Sequence, residues 1–324
     1  MRAAWYDQQG PAAEVLQVGD LPEPVPAAGE VLVRVLLSGV NPGDTKKRRG
    51  WTGSGMPYPR VVPHSDATAV VEAVGEGVDP ARVGSRVWVY GAQSYRPYGT
   101  AAQLTAVPSR QAVDLPDHVP DELGACLGIP GVTAHRAVFG DGPVTGQSVL
   151  VHGVLGGVGS IAAQLAHWGG ATVIGTVRRA ADSAEARAVC PTVALDEADP
   201  VRAIRELAPA GVDRIVEVGF SDNVDLDAAV LKNMGVIAAY ATRAERPSFD
   251  FWPMLFDNVT IRLLGSDDFP IEAKEQAAAD LTRAVAEGAL SLNTAPILPL
   301  ARVAEAHDLV DAGSRRRILV DPSA

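Results

Sequence analysis

Two cysteines, Cys126 and Cys190, are all that the 324 residues contain. Two cannot make a disulfide framework or a four-cysteine zinc lobe, and they suit a reducing compartment. Aromatic residues are only 5% of the chain, so its cores must be built from Val, Leu, Ile and Ala. Basic residues are outnumbered, 28 Lys and Arg against 39 Asp and Glu, giving a formal net charge of −11. An acidic chain repels a phosphate backbone, so nucleic acid is not an expected partner. No run of about 18 uncharged apolar residues occurs, which predicts no membrane span. The amino-terminal MRAAWYDQQG lacks the apolar stretch of a secretory signal. These gaps lead to the expectation of a soluble, cytoplasmic protein.

Apolar residues make up 47% of the chain, and the length exceeds one ordinary core, so two domains are expected. Up to about residue 125, short apolar runs (Val31 to Leu37, Ala69 to Ala73, Arg86 to Tyr90) are split by Pro42–Gly43, Gly75, Gly77 and Gly84. That texture predicts a compact, β-rich domain. Helical spacing runs from Asp121 to Val138, interrupted at Pro130. Strand and helix patterns then alternate. Strands are predicted at Ser148 to His152, Ala171 to Val177, Thr192 to Leu195, Arg214 to Val218, Val236 to Ala241 and Val259 to Leu264. Helices are predicted at Val158 to Trp168, Asp182 to Val189, Val201 to Leu207 and Val224 to Asn233. Apolar strands between amphipathic helices signal a doubly wound parallel sheet, so the fold class is α/β. A helix at Ile271 to Glu287, another at Val303 to Ala312 and a strand at Arg317 to Asp321 read as the chain returning to the first domain. The expected division is 1–125 with 270–324, and 126–269.

The sharpest local signal is Ser148-Val149-Leu150-Val151-His152-Gly153-Val154-Leu155-Gly156-Gly157-Val158-Gly159. It reads as strand, glycine turn and helix start, the context a dinucleotide fingerprint requires. Gly156, with Gly157 and Val158 beside it, lets the backbone approach a pyrophosphate. Gly159 lets the helix pack closely, and the helix amino terminus faces the phosphates. Val154 stands where G-x-G-x-x-G has its first glycine. The second strand, through Thr176, ends without an acid and is followed by Arg178 and Arg179. Two guanidiniums there suit the extra phosphate of NADPH, whereas NAD calls for a carboxylate.

Several stretches, in order along nearly the whole chain, are similar to the zeta-crystallin-like quinone oxidoreductases, zinc-free members of the medium-chain dehydrogenase/reductase superfamily. They are Gly39-Val40-Asn41-Pro42-Gly43-Asp44, Ser65-Asp66, Val70-Val71-Glu72-Ala73-Val74-Gly75, Gly128-Ile129-Pro130 with Thr133-Ala134, the glycine turn, Val303-Ala304-Glu305-Ala306-His307, and Arg317-Ile318-Leu319-Val320. The resemblance implies a GroES-like β-rich catalytic domain, a Rossmann domain, an active cleft between them and a homodimer. It also implies no metal. Zinc relatives place Cys at the position of Asn41, His at Ser65 and Cys near Ile129, and this set cannot hold zinc. The chain departs from the family at His64, His135 and Lys46.

Without a Lewis acid the substrate must already be electron-poor, which points to a quinone, or alternatively an enone or alkenal. A non-catalytic NADPH-binding structural or sensor protein is a further alternative. Asn41 is the expected donor to the acceptor, with a turn residue as its plain reading, and Tyr58 is a further pocket residue. Asn41, Thr133, Thr176, Ala241, Thr242 and Arg317 are expected near the cofactor. Arg317 and the Ala241-Thr242-Arg243 segment are expected there by resemblance.

Overall fold

The computed structural model describes residues 1–53 and 55–324. Its strands, in chain order, are β1 (Arg2–Trp5), β2 (Gln17–Asp20), β3 (Glu30–Val40), β4 (Asp66–Val74), β5 (Arg86–Val89), β6 (Leu104–Pro108) and β7 (Ala112–Asp114). Then follow β8 (Ser148–Val151), β9 (Thr172–Val177), β10 (Thr192–Ala194), β11 (Val212–Glu217), β12 (Leu231–Ala239) and β13 (Thr260–Leu263). The last two are β14 (Leu298–Pro299) and β15 (Ile318–Asp321). The chain forms two compact units. The first holds residues 1–130, 278–286 and 291–324, and the second holds 131–277 and 287–290. The boundaries therefore fall at Pro130 rather than residue 125, and inside the Ile271–Ala286 helix rather than before it.

In the first unit a sheet ordered β14-β15-β3-β4-β5-β7, with β6 also paired to β3, follows a separate β1-β2 pair. Alternation along β3 puts Val31, Val33 and Val35 into a core with Ala67, Ala69 and Val71 of β4 and Val87 and Val89 of β5. The far end of β3 is buried throughout, from Ser38 to Val40, where antiparallel β15 pairs with it. Gly39 is required there, since a Cβ would stand 2.5 Å from the Ala125 carbonyl oxygen.

The Pro42–Arg49 helix, expected from sequence only as a turn, begins where β3 ends. The Asp44 carboxylate accepts from the Asn41 backbone N–H at 2.8 Å, Pro42 sits in the first turn, and Gly50 closes the helix at φ 73°. Lys46, Lys47, Arg48 and Arg49 occupy its last turn, where cations suit the helix dipole.

The second unit has one parallel sheet ordered β10-β9-β8-β11-β12-β13. From β8 the chain first builds outward through β9 and β10, then crosses to β11. The change of direction at β8 and β11 is the switch point at which doubly wound sheets bind ligands, outside the strands' carboxyl ends. Val149, Leu150 and Val151 are all fully buried, which is why β8 reads as an unbroken apolar run. β13 lies at the edge, as its place at the end of the strand order predicts. Beside it in sequence, the Phe251–Phe256 helix, which the sequence pattern did not announce, leaves Trp252 66% and Phe256 71% exposed, and Leu263 on β13 is 75% exposed.

Candidate functional site

In the second unit the glycine turn joins β8 to the Gly157–Trp168 helix. The residue that bends the chain is Gly153, at φ 65°, one position before the Val154 that the sequence pattern compared with the first glycine. Val154 is fully buried, is not among the positive-φ residues, and donates its N–H to Thr176 O at 3.1 Å. The working spacing is thus Gly153, Gly156, Gly159. The Gly153 carbonyl accepts from Gly156 N at 2.8 Å, and a Cβ on Gly159 would stand 2.3 Å from that same oxygen. Gly156 caps the helix, and Gly157, Val158 and Gly159 form its first turn, whose amides have no partner within the helix. This cradle fits a dinucleotide pyrophosphate.

Arg178 and Arg179 follow β9, both exposed and without an ion pair among the described residues. Thr133 is buried on the Ile129–Phe139 helix. Ala241 and Thr242 follow β12. The Ala241 carbonyl accepts from Phe220 N at 3.2 Å, and the Thr242 hydroxyl donates to Ala244 O at 3.1 Å. His135 sets its ring against Phe139 at a tilt of 52°, centroids 5.0 Å apart.

Beneath the turn lies a cluster that sequence reading missed. His152 Nδ1 is 2.8 Å from the Thr176 hydroxyl, and His152 Nε2 is 2.8 Å from Asp227 Oδ1 and 3.4 Å from Glu217 Oε2. All four residues are at most 1% exposed. Glu217 Oε1 accepts from Gly219 N–H and from the Asn223 amide, while Asp227 Oδ2 is buried without a partner. Burial, reinforced by Asp227, pushes the Glu217 carboxyl up to about 7 against the pull of His152 and the hydrogen bonds from Gly219 and Asn223. Burial opposes an imidazolium at His152, but Asp227, with Glu217 behind it, carries that ring above its usual value. Glu217 and Asp227 lie 65 and 75 residues from His152, so no local motif could reveal them. A polar residue ending each of two apolar strands was the only signal.

In the first unit, Asn41 is 2% exposed. Its amide donates to Asp66 Oδ2 at 2.6 Å and accepts from Arg317 Nη2 at 2.9 Å. Asp66 Oδ1 accepts the Ile129 N–H at 2.7 Å, and Gly128 is needed because a Cβ would collide with that carboxylate at 2.0 Å. Arg317, expected to reach the cofactor, directs its guanidinium onto Asn41, because β15 pairs with the end of β3. Its Nε is buried and unpaired. Tyr58, expected as a pocket residue, donates its hydroxyl to the Tyr95 carbonyl at 2.5 Å. Lys46 lies over the Trp51 ring, 4.7 Å from its centroid, and burial lowers its pKa.

Behind Asn41 runs a directed chain of buried hydrogen bonds. Arg48 Nε can only donate, so His307 Nδ1 accepts, at 3.3 Å. His307 therefore donates from Nε2 to His64 Nε2 at 3.0 Å. His64 in turn donates from Nδ1 to the Ser38 hydroxyl at 2.9 Å. Ser38 then donates to Thr100 at 2.8 Å, and Thr100 to the Asp66 carbonyl at 2.8 Å. Both rings are neutral. Burial holds His64 down to about 3, and burial, His64 and Arg48 hold His307 well below the usual value. His64 takes a left-handed backbone, φ 74°, to reach this place.

Two family models match the chain, the alcohol dehydrogenase GroES-like domain over residues 27–117 and the zinc-binding dehydrogenase domain over 157–280. Human quinone oxidoreductase is 31% identical over 314 residues, 93% of this chain and 91% of that protein. A mycobacterial protein solved with NADPH is 28% identical at TM-score 0.85, covering 99% of this chain and 100% of the other. An NAD-dependent alcohol dehydrogenase structure is 25% identical at TM-score 0.86, covering 99% of each chain.

Proposed function

Because the chain belongs to the quinone oxidoreductase family of the medium-chain dehydrogenases/reductases and is an oxidoreductase, we propose that it reduces quinones with NADPH, without a metal. The observation that carries the cofactor reading is the pair Arg178 and Arg179, exposed, free of ion pairs among the described residues, and seated at the end of β9 beside the glycine cradle. NADPH, when bound, supplies the hydride. The helix amino terminus at Gly156–Gly159 holds the pyrophosphate, and the two guanidiniums hold the 2′-phosphate. Asn41 serves the acceptor. One amide N–H is held by Asp66 and its carbonyl by Arg317, so the second N–H is fixed in direction and can donate to an oxygen gaining charge. Thr133, Ala241 and Thr242 bound the cofactor's path on the second unit, and Tyr58 borders the acceptor on the first. Thr176, expected beside the cofactor, lies buried beneath the glycine turn on His152 and supports that path from behind.

Among the described residues, zinc finds no ligand set around Asn41. The groups facing Asp66 there are an amide N–H and a backbone N–H, which are hydrogen donors and not metal ligands. The open β13 edge, with Leu263 exposed, suits pairing with a second copy across a two-fold axis, so the working form is a homodimer. We place the protein in the cytoplasm. The deciding experiment compares NADPH and NADH, with a panel of quinones and enones, for the native chain and Arg178→Ala/Arg179→Ala. Preference for NADPH should fall by about tenfold or more per guanidinium, following the roughly 1.5–3 kcal/mol of a charged hydrogen bond. Equal use of both cofactors by the native chain refutes the reading. So does loss of activity on exhaustive chelation for the metal, and a monomer by light scattering for the dimer.

A further inference from the structure

We propose that His152, Glu217 and Asp227 form a proton-holding triad beneath the Gly153 turn, and that its protonated form is the one competent to bind the anionic dinucleotide. The inference rests on the cofactor reading above and adds a regulation that reading does not require. Its first ground is a mismatch of charge. Two carboxyl groups and one imidazole share a fully buried site in which one ligand atom of each lies within 4.8 Å of the others. With both acids ionised and the ring protonated, the site carries one uncompensated negative charge, and a buried charge without a partner is costly. One further proton neutralises it. The second ground is where that proton goes. Glu217 Oε1 accepts from Gly219 N–H and shares the Asn223 amide with Oε2, so Oε2, which also faces His152, is the less occupied oxygen and has room for the proton. Asp227 Oδ2 is the buried acceptor left without a partner. That oxygen is the cluster's other position with room for a proton.

The third ground is position. Each member is one step from backbone that shapes the cradle. His152 precedes Gly153 and donates its own N–H to Val216 O at 3.0 Å. Thr176, bonded to the His152 ring, takes the Val154 N–H. Glu217 takes the Gly219 N–H at the start of the Phe220–Val230 helix, which carries Asp227. Around the triad the other polar groups are the neutral Thr176 of β9, Asn223 of that helix, and Tyr240 just after β12, whose phenol is pushed far up by burial and by Glu217. None of them can supply a positive charge. Loss of the triad's proton therefore places a bare negative charge under a helix amino terminus that must attract phosphates, weakening its pull and repelling the ligand. The carboxyl's position near 7 puts that change within the ordinary working range. His152, Glu217 and Asp227 act through the turn and are positioning residues.

The test is NADPH and NADH affinity, by fluorescence titration, between about pH 6.5 and pH 8.5. Above pH 6.5 the 2′-phosphate, with its pKa near 6, is mostly ionised. The native chain should bind both dinucleotides about tenfold more weakly at the alkaline end, the change a one-unit rise in proton affinity on binding produces. Glu217→Gln keeps the acceptor for Gly219 and is neutral at every pH, so its affinity should vary less than about twofold. Should that variant fail to fold, calorimetry of the native chain at about pH 7.5 in two buffers of different ionisation enthalpy replaces it, and NADPH binding should take up a fraction of a proton. A flat native affinity, an unchanged slope in Glu217→Gln, zero proton uptake, or a stoichiometric metal ion released by Asp227→Asn overturns the triad. Failure of NADPH to bind at any pH overturns the cofactor reading instead.

Discussion

The two units each bury a histidine cluster, and the two clusters answer burial in opposite ways. In the first unit His64 and His307 face each other and Arg48, so every neighbour that could be charged is positive or is another imidazole. Both rings are held neutral, and each polar hydrogen along the chain to Asp66 has one acceptor. In the second unit His152 faces two carboxyls, which raise its pKa against the pull of burial, and an acceptor is left over. Burial is complete in both, so desolvation cannot explain the difference. The sign of the shift is set by the partners, and so is the division of labour. A neutral, fully satisfied network fixes geometry, whereas an under-satisfied, charged one can gain and lose a proton.

The sharpest way to break the first cluster is to remove the acid that collects its hydrogen bonds. Asp66→Ala strands the Asn41 amide and the Ile129 N–H and leaves the buried Arg317 without the network it completes. A loss of about 3–5 kcal/mol is expected from a buried charged network broken on one side. Urea unfolding measures it, and a loss below about 1 kcal/mol would mean that Asp66 is not the anchor.

The pH dependence of the two clusters should have opposite sign. His64 binds its proton at 6.5 when unfolded and at about 3 when folded. Its contribution is therefore complete above 6.5 and is lost as pH falls toward 3. By pH 5 the loss is about 2 kcal/mol, from about 1.4 kcal/mol per pH unit below the unfolded value. Glu217 behaves inversely. Its folded value is raised from 4.5 to about 7, so its contribution is complete below 4.5 and is lost as pH rises through 7. The whole protein's stability curve then hides both effects. They separate when the unfolding free energy of His64→Gln and of Glu217→Gln is each subtracted from that of the native chain at several pH values. Two differences that move in the same direction with pH would erase the contrast.

The sequence announced the second unit far better than the first. A strand buried on both faces must be apolar throughout, so β8, β9, β11 and β12 stand out as runs such as Val149 to Val151. The Pro42–Arg49 helix did not stand out, because Lys46 to Arg49 carry no apolar periodicity and Arg48 is buried by pairing with Asp311 and His307 rather than by hydrophobicity. Its signal was the Asn41-Pro42-Gly43-Asp44 start, a capping residue, a first-turn proline and an acid three places on. The glycine turn was located correctly as a segment but one residue late in detail, since only the backbone reveals that Gly153 takes the positive φ. Contacts such as Asn41 with Arg317, 276 residues apart, follow from β15 returning to β3, which no local pattern encodes.

The smallest expected effect belongs to Thr176→Val, which sharpens the comparison because it leaves all three titratable groups in place. The Thr176 hydroxyl holds His152 Nδ1 at 2.8 Å in a fully buried setting, and valine has nearly the same shape. One buried donor then loses its partner, so about 1–2 kcal/mol of stability should go. A ring that can no longer satisfy Nδ1–H is a poorer imidazolium, and the triad must hold its protons less tightly. The fall of dinucleotide affinity with pH should therefore begin at lower pH than in the native chain, whereas a purely structural role for the hydroxyl would weaken binding equally at every pH. The first unit offers the control. Thr100→Val removes the analogous hydroxyl, the last donor in the His64 chain, and should cost a similar amount of stability. It should leave the pH profile of dinucleotide binding where it was, because that chain carries no net charge to release.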